Sequence, residues 1–366
     1  MLAIQKFIAD HPANWADLLS AAPYNLKISW DNDFVLFKYD QIKSDFHEKI
    51  CLEARGLILD SLDNFKVVRL AFTKFFNIDE PYAAHIDWNT AVASKKIDGS
   101  IMSVWFARGQ WHLSTNGTID AFKAPITGVG PYKNFGELFE SVVPLSTFEH
   151  FSKNLCWTFE LVSPYTKVVI DYPKTDVYLL SIREMDTLDE LTQDAIRVLG
   201  KSNGFHVPQR YYLNNEADYR KVVEQMPKGH EGIVVRDAAG QRVKIKTLSY
   251  FEMHRARNNG VLTLERIVDL ILKNDDEEFL SYFIEYRPKF SHIRNVREKI
   301  LSRIEEINIL VKSYSSKKEI ALDNSIPNWE KRFYFNAFDK RKNNLELRDW
   351  CKLIEMWEAA HNESIE

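Results

Sequence analysis

A lysine in the segment SKKIDGS, residues 94–100, is the first candidate for covalent chemistry. Lys96 precedes the turn pair Asp98 and Gly99, and strand-like residues on both sides predict a hairpin. Side chains alternate along a strand, so only one of Lys95 and Lys96 can face inward. An amine that has lost its proton can attack phosphorus, and burial and neighbouring cations usually activate such lysines. Lys96 is therefore the candidate nucleophile, although KxDG alone more often marks a plain hairpin with a solvated lysine.

Cations and carboxylates later in the chain supply the other groups that such a reaction needs. Lys244 and Lys246 lie two residues apart on one face of a strand, and Glu231 stands before the strand-like GIVV. Glu160 lies in another strand-like run, FELV. The two lysines would activate Lys96 and neutralise charge on an α-phosphate during attack. Carboxylate oxygens suit Mg²⁺ (or Mn²⁺), so Glu231 and Glu160 are the predicted metal ligands.

The order of these groups is typical of covalent nucleotidyltransferases, which include ligases and capping enzymes. Further segments make the match closer, namely EARG at 53–56, KFFN at 74–77, IRE at 182–184 and Tyr250. Over roughly residues 35–250 the chain resembles the T-even phage RNA ligase 1 family, whose members are ATP-dependent RNA ligases. The resemblance implies an antiparallel-sheet, ATP-grasp-like nucleotidyltransferase domain.

The resemblance also implies roles for individual residues. Lys96 would become covalently linked to AMP, while Arg55 and Lys74 would hold the outer phosphates of ATP. Phe76 would stack on the adenine, and Glu160 would hold the ribose or a metal-bound water. The predicted catalytic residues are Lys96, Lys244, Lys246 and Glu231. The predicted nucleotide-binding residues are Tyr39, Arg55, Lys74, Phe76, Asp98, Gly99, Asn116, Glu160 and Tyr250.

One position departs from the family pattern. The family usually has a basic residue where STNG stands at 114–117, and the matching residue here is Asn116. Asparagine can hydrogen-bond to ribose or phosphate but supplies no charge. We expect altered nucleotide affinity rather than lost chemistry.

Hydrophobic periodicity divides the chain into an α+β domain, residues 1–250, and an all-helical domain, residues 251–366. In the first, a helix is predicted over 3–19, followed by short β-rich runs between 25 and 246 that form a largely antiparallel core. Helices are also predicted in this domain at 135–142, 187–199 and 216–225. In the second, apolar residues at three- and four-residue spacing predict helices at 262–272, 277–286, 292–314 and 345–360.

Two basic stretches of the second domain are candidates for RNA contact. The stretch 287–303 has one acidic residue, Glu298, and six basic ones, Arg287, Lys289, Arg294, Arg297, Lys299 and Arg303. Residues 331–342 interleave cations with aromatic residues such as Phe333 and Tyr334. Cations bind phosphates, and exposed aromatic rings stack on unpaired bases. A solvated helix face with its aromatic residues in the core explains the same pattern equally well.

Composition excludes several classes of protein. The net charge is −4, so binding to nucleic acid must rely on local basic patches. No apolar run approaches the roughly 20 residues that span a bilayer, and the N-terminus has no secretion signal. The three cysteines are too far apart for a CxxC pair, and an odd number argues against a disulfide framework. We expect a cytoplasmic monomer without a membrane partner.

The preferred interpretation is an ATP-dependent RNA ligase that joins a 5′-phosphate to a 3′-hydroxyl through lysyl-AMP and RNA-adenylate intermediates. Broken single-stranded or tRNA-like ends would be its substrates, and RNA repair would be its role. The enzymatic alternative is a DNA ligase or a capping-type guanylyltransferase, both of which normally carry an OB-fold after the KxK motif. The helical pattern after Tyr250 argues against that fold. An inert RNA-binding protein on a ligase scaffold is a third hypothesis, which the complete set of catalytic residue types disfavours.

Overall fold

The computed structural model describes residues 1–41, 43–126, 130–166, 168–227, 229–248, 250, 262–273, 276–282, 286–340, 343 and 345–361. It divides into two compact units, Met1–Ala256 and Arg257–Glu366. The first unit combines strands with helices, and the described part of the second is helical, so the predicted α+β class with a helical C-terminal region is confirmed. The predicted domain border adjoins residues 251–261, which lie outside the described residues.

The described helices and strands follow one another along both units. The α-helices of the first unit are α1 (Ala3–Asp10), α2 (Trp15–Ser20), α3 (Lys49–Glu53), α4 (Phe135–Glu140), α5 (Gln193–Ser202) and α6 (Glu216–Glu224). Its strands are β1 (Lys27–Asp31), β2 (Phe34–Lys38), β3 (Arg55–Asp60), β4 (Lys66–Arg69), β5 (Phe76–Asn77), β6 (Val92–Lys96), β7 (Ser100–Ala107), β8 (Gln110–Thr115), β9 (Leu155–Val162), β10 (Asp176–Glu184), β11 (Arg210–Tyr211), β12 (Gly232–Arg236) and β13 (Arg242–Lys246). The second unit has α7 (Leu264–Lys273), α8 (Asp276–Tyr282), α9 (Arg287–Leu310), α10 (Lys317–Leu322), α11 (Lys331–Phe338) and α12 (Leu347–His361).

The described residues of the first unit form three sheets. Two are four-stranded and antiparallel, with strand orders β1-β2-β3-β4 and β10-β9-β7-β8. The third has the order β11-β6-β12-β13-β5 and is antiparallel except where β13 pairs with β5. β-Branched and aromatic residues are frequent in these strands and fit a pleated, half-buried surface. The largely antiparallel core expected from the sequence is present.

The KxDG turn joins two sheets and is not the predicted hairpin. β6 ends at Lys96 in the five-stranded sheet, and β7 begins at Ser100 in a four-stranded sheet. A Cβ at Gly99 would collide with the backbone oxygen of Leu161 on β9, so only glycine lets the chain pass there. The carboxylate of Asp98 bonds to the backbone of a distant segment instead of closing a hairpin turn.

Two predicted helices of the first unit have different bounds. The helix predicted over 3–19 is two helices, because Pro12 lacks the N–H that a continuous helix would need. The helix predicted from residue 187 begins at Gln193, because the Thr192 side chain caps it by accepting the backbone N–H of Ala195. Leu188, with φ of +65°, lies in the preceding turn.

Each unit has its own apolar core. In the second unit, α7, α9 and α12 contribute Ile267, Ile300 and Trp357 to one buried cluster. The sequence did not predict α10 and α11, which are short but add Ile320 and Phe333 to this cluster. Among the described residues, no helix combines the length and the apolar character needed to cross a membrane.

Gly56, at the start of β3, gives a test of this packing. It has φ of +75°, and a Cβ there would collide with Arg69 and lie 2.7 Å from the backbone oxygen of Asn116. We expect Gly56→Ala to lower the free energy of unfolding by about 3 kcal/mol, measured by urea denaturation. Gly109→Ala is the matched control, because Gly109 has φ of +83° but no atom within 4 Å of the added Cβ. It should cost only about 1 kcal/mol, and equal costs would contradict the clash.

Candidate active site

A cavity of about 350 Å³ in the first unit is lined mostly by cations and apolar side chains. The cations are Arg55, Lys95, Lys96, Arg210, Arg242, Lys244 and Lys246. The apolar side chains include Phe72, Phe75, Ile97, Ile101, Leu179, Leu180, Ile196, Val207 and Val234. Glu160 is the one carboxylate among the described lining residues. A cavity of this size and character suits a small anionic ligand with an apolar part.

The candidate nucleophile Lys96 shares one carboxylate with Lys246. Lys96 Nζ lies 2.7 Å from Glu231 Oε2, and Lys246 Nζ lies 3.4 Å from Glu231 Oε1. The sheet explains this arrangement, because Gly232 on β12 pairs with Lys96 on one side and with Lys246 on the other. Glu231 is only 3% exposed, whereas Lys96 is 23% exposed and lines the cavity. The ion pairs therefore fix the amine of Lys96 at the cavity wall.

Glu160 is the second carboxylate of this centre. It lies on β9, and burial raises its pKa to about 8, with Glu231 adding to the rise and Lys96 opposing it. Burial disfavours the charged form of this carboxyl group. A divalent cation bound beside it would offset the negative charge. No cluster of three or more metal-ligating side chains occurs in the part of the chain that the structure describes. Glu160 and Glu231 are carboxylates that could hold Mg²⁺, which usually takes one or two carboxylates together with water and substrate phosphates.

Asp98 connects the KxDG turn to two distant parts of the unit. Its Oδ2 accepts the backbone N–H groups of Val169 and Ile170 at 2.8 and 2.7 Å. Its Oδ1 accepts the hydroxyl of Tyr250 at 3.2 Å, and the Tyr250 ring lies 5.1 Å from Lys246 Nζ. Asp98 and Tyr250 were predicted to bind the nucleotide, but neither lines the cavity. These contacts position the turn and the KxK strand.

Arg55 and two aromatic rings form another part of the cavity wall. The Arg55 guanidinium carbon lies 5.0 Å from the ring centroid of Phe75 and 5.9 Å from that of Phe72. Among the described residues, Arg55 Nη1 is buried without a hydrogen-bond partner. An unsatisfied buried donor is costly, so this group is poised to bind a ligand. Sequence reasoning missed Phe72 and Phe75, because adjacent aromatic residues do not show which ring faces a cavity.

Asn116 lines the cavity, with a cation behind it. Arg69 donates from Nη2 to Asn116 Oδ1 at 2.7 Å, and it also bonds to the backbone oxygen of Gly56. Burial lowers the pKa of Arg69 to about 10, and nearby Arg55 adds to the effect. Asn116 itself carries no charge, but Arg69 places a positive charge directly behind it, one side chain further from the cavity. The sequence signal was a charged residue, Arg69, with the apolar residues Val68 and Leu70 on either side.

Lys74, Tyr39 and Phe76 form a separate cluster that does not line the cavity. Lys74 Nζ lies 4.9 Å from the ring centroid of Tyr39 and 5.3 Å from that of Phe76. Phe76 is buried against Phe46 and Tyr82. The structure thus brings seven predicted residues to the cavity, namely Arg55, Lys96, Gly99, Asn116, Glu160, Lys244 and Lys246, and places Glu231 behind them. The roles of Lys74, Tyr39 and Phe76 stay predictions.

The arginines predicted to bind RNA are engaged inside the helical unit. Arg294 Nε donates to Asp276 at 2.7 Å, and Arg303 Nη2 donates to Glu330 at 2.9 Å. Arg297 is buried. An RNA phosphate would have to displace these carboxylates to bind the half-buried Arg294 and Arg303.

The aromatic residues of the second basic stretch lie mainly in the core. Phe333 and Tyr334 are buried, which favours the core explanation over stacking on bases. Arg332 pairs with Asp349 at 2.9 Å. Residues 341 and 342 lie outside the described residues.

Comparison with known proteins gives one family. A family described as RNA ligase, of the T4 RNA ligase 1 type, matches residues 53–253. An RNA ligase of Rhodothermus phage RM378 is 25% identical over 68% of this chain and 69% of its own. A putative bifunctional polynucleotide kinase/RNA ligase of Autographa californica nuclear polyhedrosis virus is 23% identical, over 77% of this chain but 42% of its own. An archaeal ATP-dependent RNA ligase structure aligns with a TM-score of 0.48 and 15% identity, over 100% of this chain and 84% of its own.

The contacts of Asp98 can be tested by removing them in steps. Asp98→Ala deletes the acceptors of two backbone N–H groups and one hydroxyl, and should lower the free energy of unfolding by about 3 kcal/mol. Tyr250→Phe deletes only the hydroxyl and should cost about 1 kcal/mol. Urea denaturation measures both values. If the two variants cost the same, the backbone contacts of Asp98 do not stabilise the turn.

Proposed function

The chain belongs to the RNA ligase family of the T4 RNA ligase 1 type, and on that premise we propose that it seals RNA as an ATP-dependent ligase. One arrangement carries the proposal, namely Lys96 held at 2.7 Å from buried Glu231 in a cavity lined by cations. Phosphoryl-type transfer depends mainly on positioning and on electrostatic stabilisation. Here Glu231 positions Lys96, and the cations of the cavity wall would stabilise negative charge. The apolar lining would receive the adenosine.

The first step would form a lysyl-AMP. Glu231 is placed to take a proton from Lys96, whose nitrogen lone pair then attacks the α-phosphorus of ATP. The N–P bond forms, the bond to the bridging oxygen breaks, and pyrophosphate leaves. Lys244 and Lys246 would neutralise the charge that grows on the phosphate oxygens. Glu160 and Glu231 would hold Mg²⁺ (or Mn²⁺), which supplies further charge neutralisation when bound.

Two further steps would complete the reaction. An oxygen of the RNA 5′-phosphate attacks the AMP phosphorus, the N–P bond breaks, and Lys96 is released. The RNA 3′-hydroxyl then attacks the 5′-phosphorus, its proton is lost, and AMP leaves as the phosphodiester forms. We place this activity in the cytoplasm, in the repair of broken single-stranded or tRNA-like RNA, with the protein acting as a monomer. The three unpaired cysteines support a reducing compartment.

The helical second unit favours an RNA ligase over the enzymatic alternative. A DNA ligase or capping-type guanylyltransferase would normally continue into an OB-fold, which is a five-stranded barrel. The described residues between 262 and 361 contain helices and no strand. An RNA ligase with a helical substrate-selecting unit therefore agrees better with this chain.

The nucleophile can be tested with α-labelled ATP and magnesium. Lys96→Ala should abolish label on the denatured protein, because it removes the attacking nitrogen. Lys95→Ala is the matched control and should keep most of the label, because both lysines line the cavity but it is Lys96 that lies 2.7 Å from Glu231. Unlabelled wild-type protein would contradict the proposed activity. Equal loss in both variants would contradict the assignment of Lys96.

The division of labour between the units can be tested with a fragment ending at Ala256. It should still fold, because the described residues of the first unit form apolar clusters of their own. It should also form the lysine adduct, since all the predicted site residues lie between Tyr39 and Tyr250. We expect poor joining of a folded tRNA-like substrate compared with the full chain. A folded fragment without the adduct would place part of the ATP site in the second unit.

A further inference from the structure

Three arginines surround one buried glutamate beside the cavity. Arg183 Nη2 lies 3.2 Å and Arg236 Nη1 lies 3.3 Å from the carboxylate of Glu190, and Arg242 Nη2 bonds to the same carboxylate. All four side chains are at most 13% exposed. The group has no part in the lysine chemistry described above, so its charge needs a separate explanation.

The charges in this group do not cancel. Burial alone would raise the pKa of Glu190, but the three arginines, first Arg242, hold it below its ordinary value. Glu190 is therefore an anion that offsets one of the three guanidinium charges, while Asp237 adds negative charge beside Arg236 and Asp189 beside Arg183. Buried cations without a matching anion are costly, so a further anion beside this group would be favourable.

Arg242 is the member of the group that reaches the cavity. It lines the wall, whereas Arg183, Arg236 and Glu190 do not. Arg242, Lys244 and Lys246 alternate along β13, so one face carries a cation about every 6.6 Å. This row starts beside the nucleophile and continues away from it.

The surroundings of Arg242 leave its guanidinium able to bind a ligand. It donates to Glu190 and to the backbone oxygen of Gly240 at 3.1 Å, which uses part of its N–H fork. Its guanidinium carbon lies 5.1 Å from the Phe72 ring centroid, and Arg55 lies 5.9 Å from the same ring. Two cations thus adjoin one ring, and Arg55 has a buried N–H group without a partner among the described residues.

We propose that Arg242, positioned by Glu190, binds a phosphate group of the substrate at a subsite beyond Lys244. A guanidinium fork matches phosphate oxygens better than a single ammonium, and a fixed fork loses little entropy on binding. The phosphate belongs either to the outer part of ATP or to the 5′ end of RNA. The subsite rests on the proposed ligase function, because that function brings both phosphates to this cavity.

Arg242→Gln tests the subsite in the full chain, with Arg236→Gln as its matched control. Both arginines contact Glu190 and face each other across β12 and β13, but only Arg242 lines the cavity. One arm measures adduct formation against ATP concentration and its reversal by inorganic pyrophosphate. The other arm measures AMP transfer from the purified adduct to 5′-phosphorylated RNA. We expect Arg242→Gln to raise the half-saturating concentration about tenfold in one arm, with Arg236→Gln close to wild type.

The arm of the experiment in which the half-saturating concentration rises identifies the phosphate that Arg242 binds. A change with ATP and pyrophosphate assigns the subsite to the outer phosphates, and a change with RNA assigns it to the 5′-phosphate. No change in either arm, or equal changes in both variants, would overturn the proposal. If Arg242→Gln does not fold, Arg242→Lys keeps the charge without the fork and should give a smaller increase, whereas wild-type behaviour would overturn the subsite. Wild-type protein that forms no adduct at all contradicts the ligase function itself, and the subsite falls with it.

Discussion

The close pairing of β12 with β13 at Gly232 is the constraint on which the candidate active site depends. Gly232 has φ of +143°, and a Cβ there would lie 2.7 Å from the Lys246 Cα. Glycine therefore allows the backbone to turn just after Glu231 and then enter the sheet between Lys96 and Lys246. Because β6 and β13 both pair with Gly232, Lys96 and Lys246 both reach the carboxylate of the preceding residue, Glu231. A small residue at one position thus sets the geometry of the three charged groups next to it.

Buried charge explains much of the remaining wall. Taking cations out of water is unfavourable unless carboxylates or aromatic faces compensate them, and this cavity uses both. Glu231 compensates Lys96 and Lys246, and the Phe75 ring lies 5.0 Å from Arg55. This compensation stabilises the unliganded fold but leaves the cavity positive. Cations that are already fixed in this way would bind a phosphate with little reorganisation.

The sequence predicted the α+β class and the family, because alternation and motif order depend only on local spacing. It also predicted that Lys96 and Lys246 share a site, since the KxDG and KxK segments belong to one pattern. It did not reveal that Arg69 stands behind Asn116, or that Phe75 and not Phe76 lines the cavity. Those facts depend on pairing between segments far apart in the chain. Local periodicity shows that the two faces of a strand or helix differ in polarity. It does not show which neighbouring element each face contacts.

The position of Lys96, the candidate nucleophile, between two sheets follows from the same pairing. Lys96 ends a strand of the five-stranded sheet, and the chain enters the β10-β9-β7-β8 sheet four residues later at Ser100. The wall on one side therefore carries the cations of β13, while the wall on the other carries Glu160 from β9. A hairpin at Asp98 would have kept both strands in one sheet and left Glu160 without access to Lys96. The crossing between sheets is what brings the cations of β13 and the carboxylate of Glu160 to the same cavity.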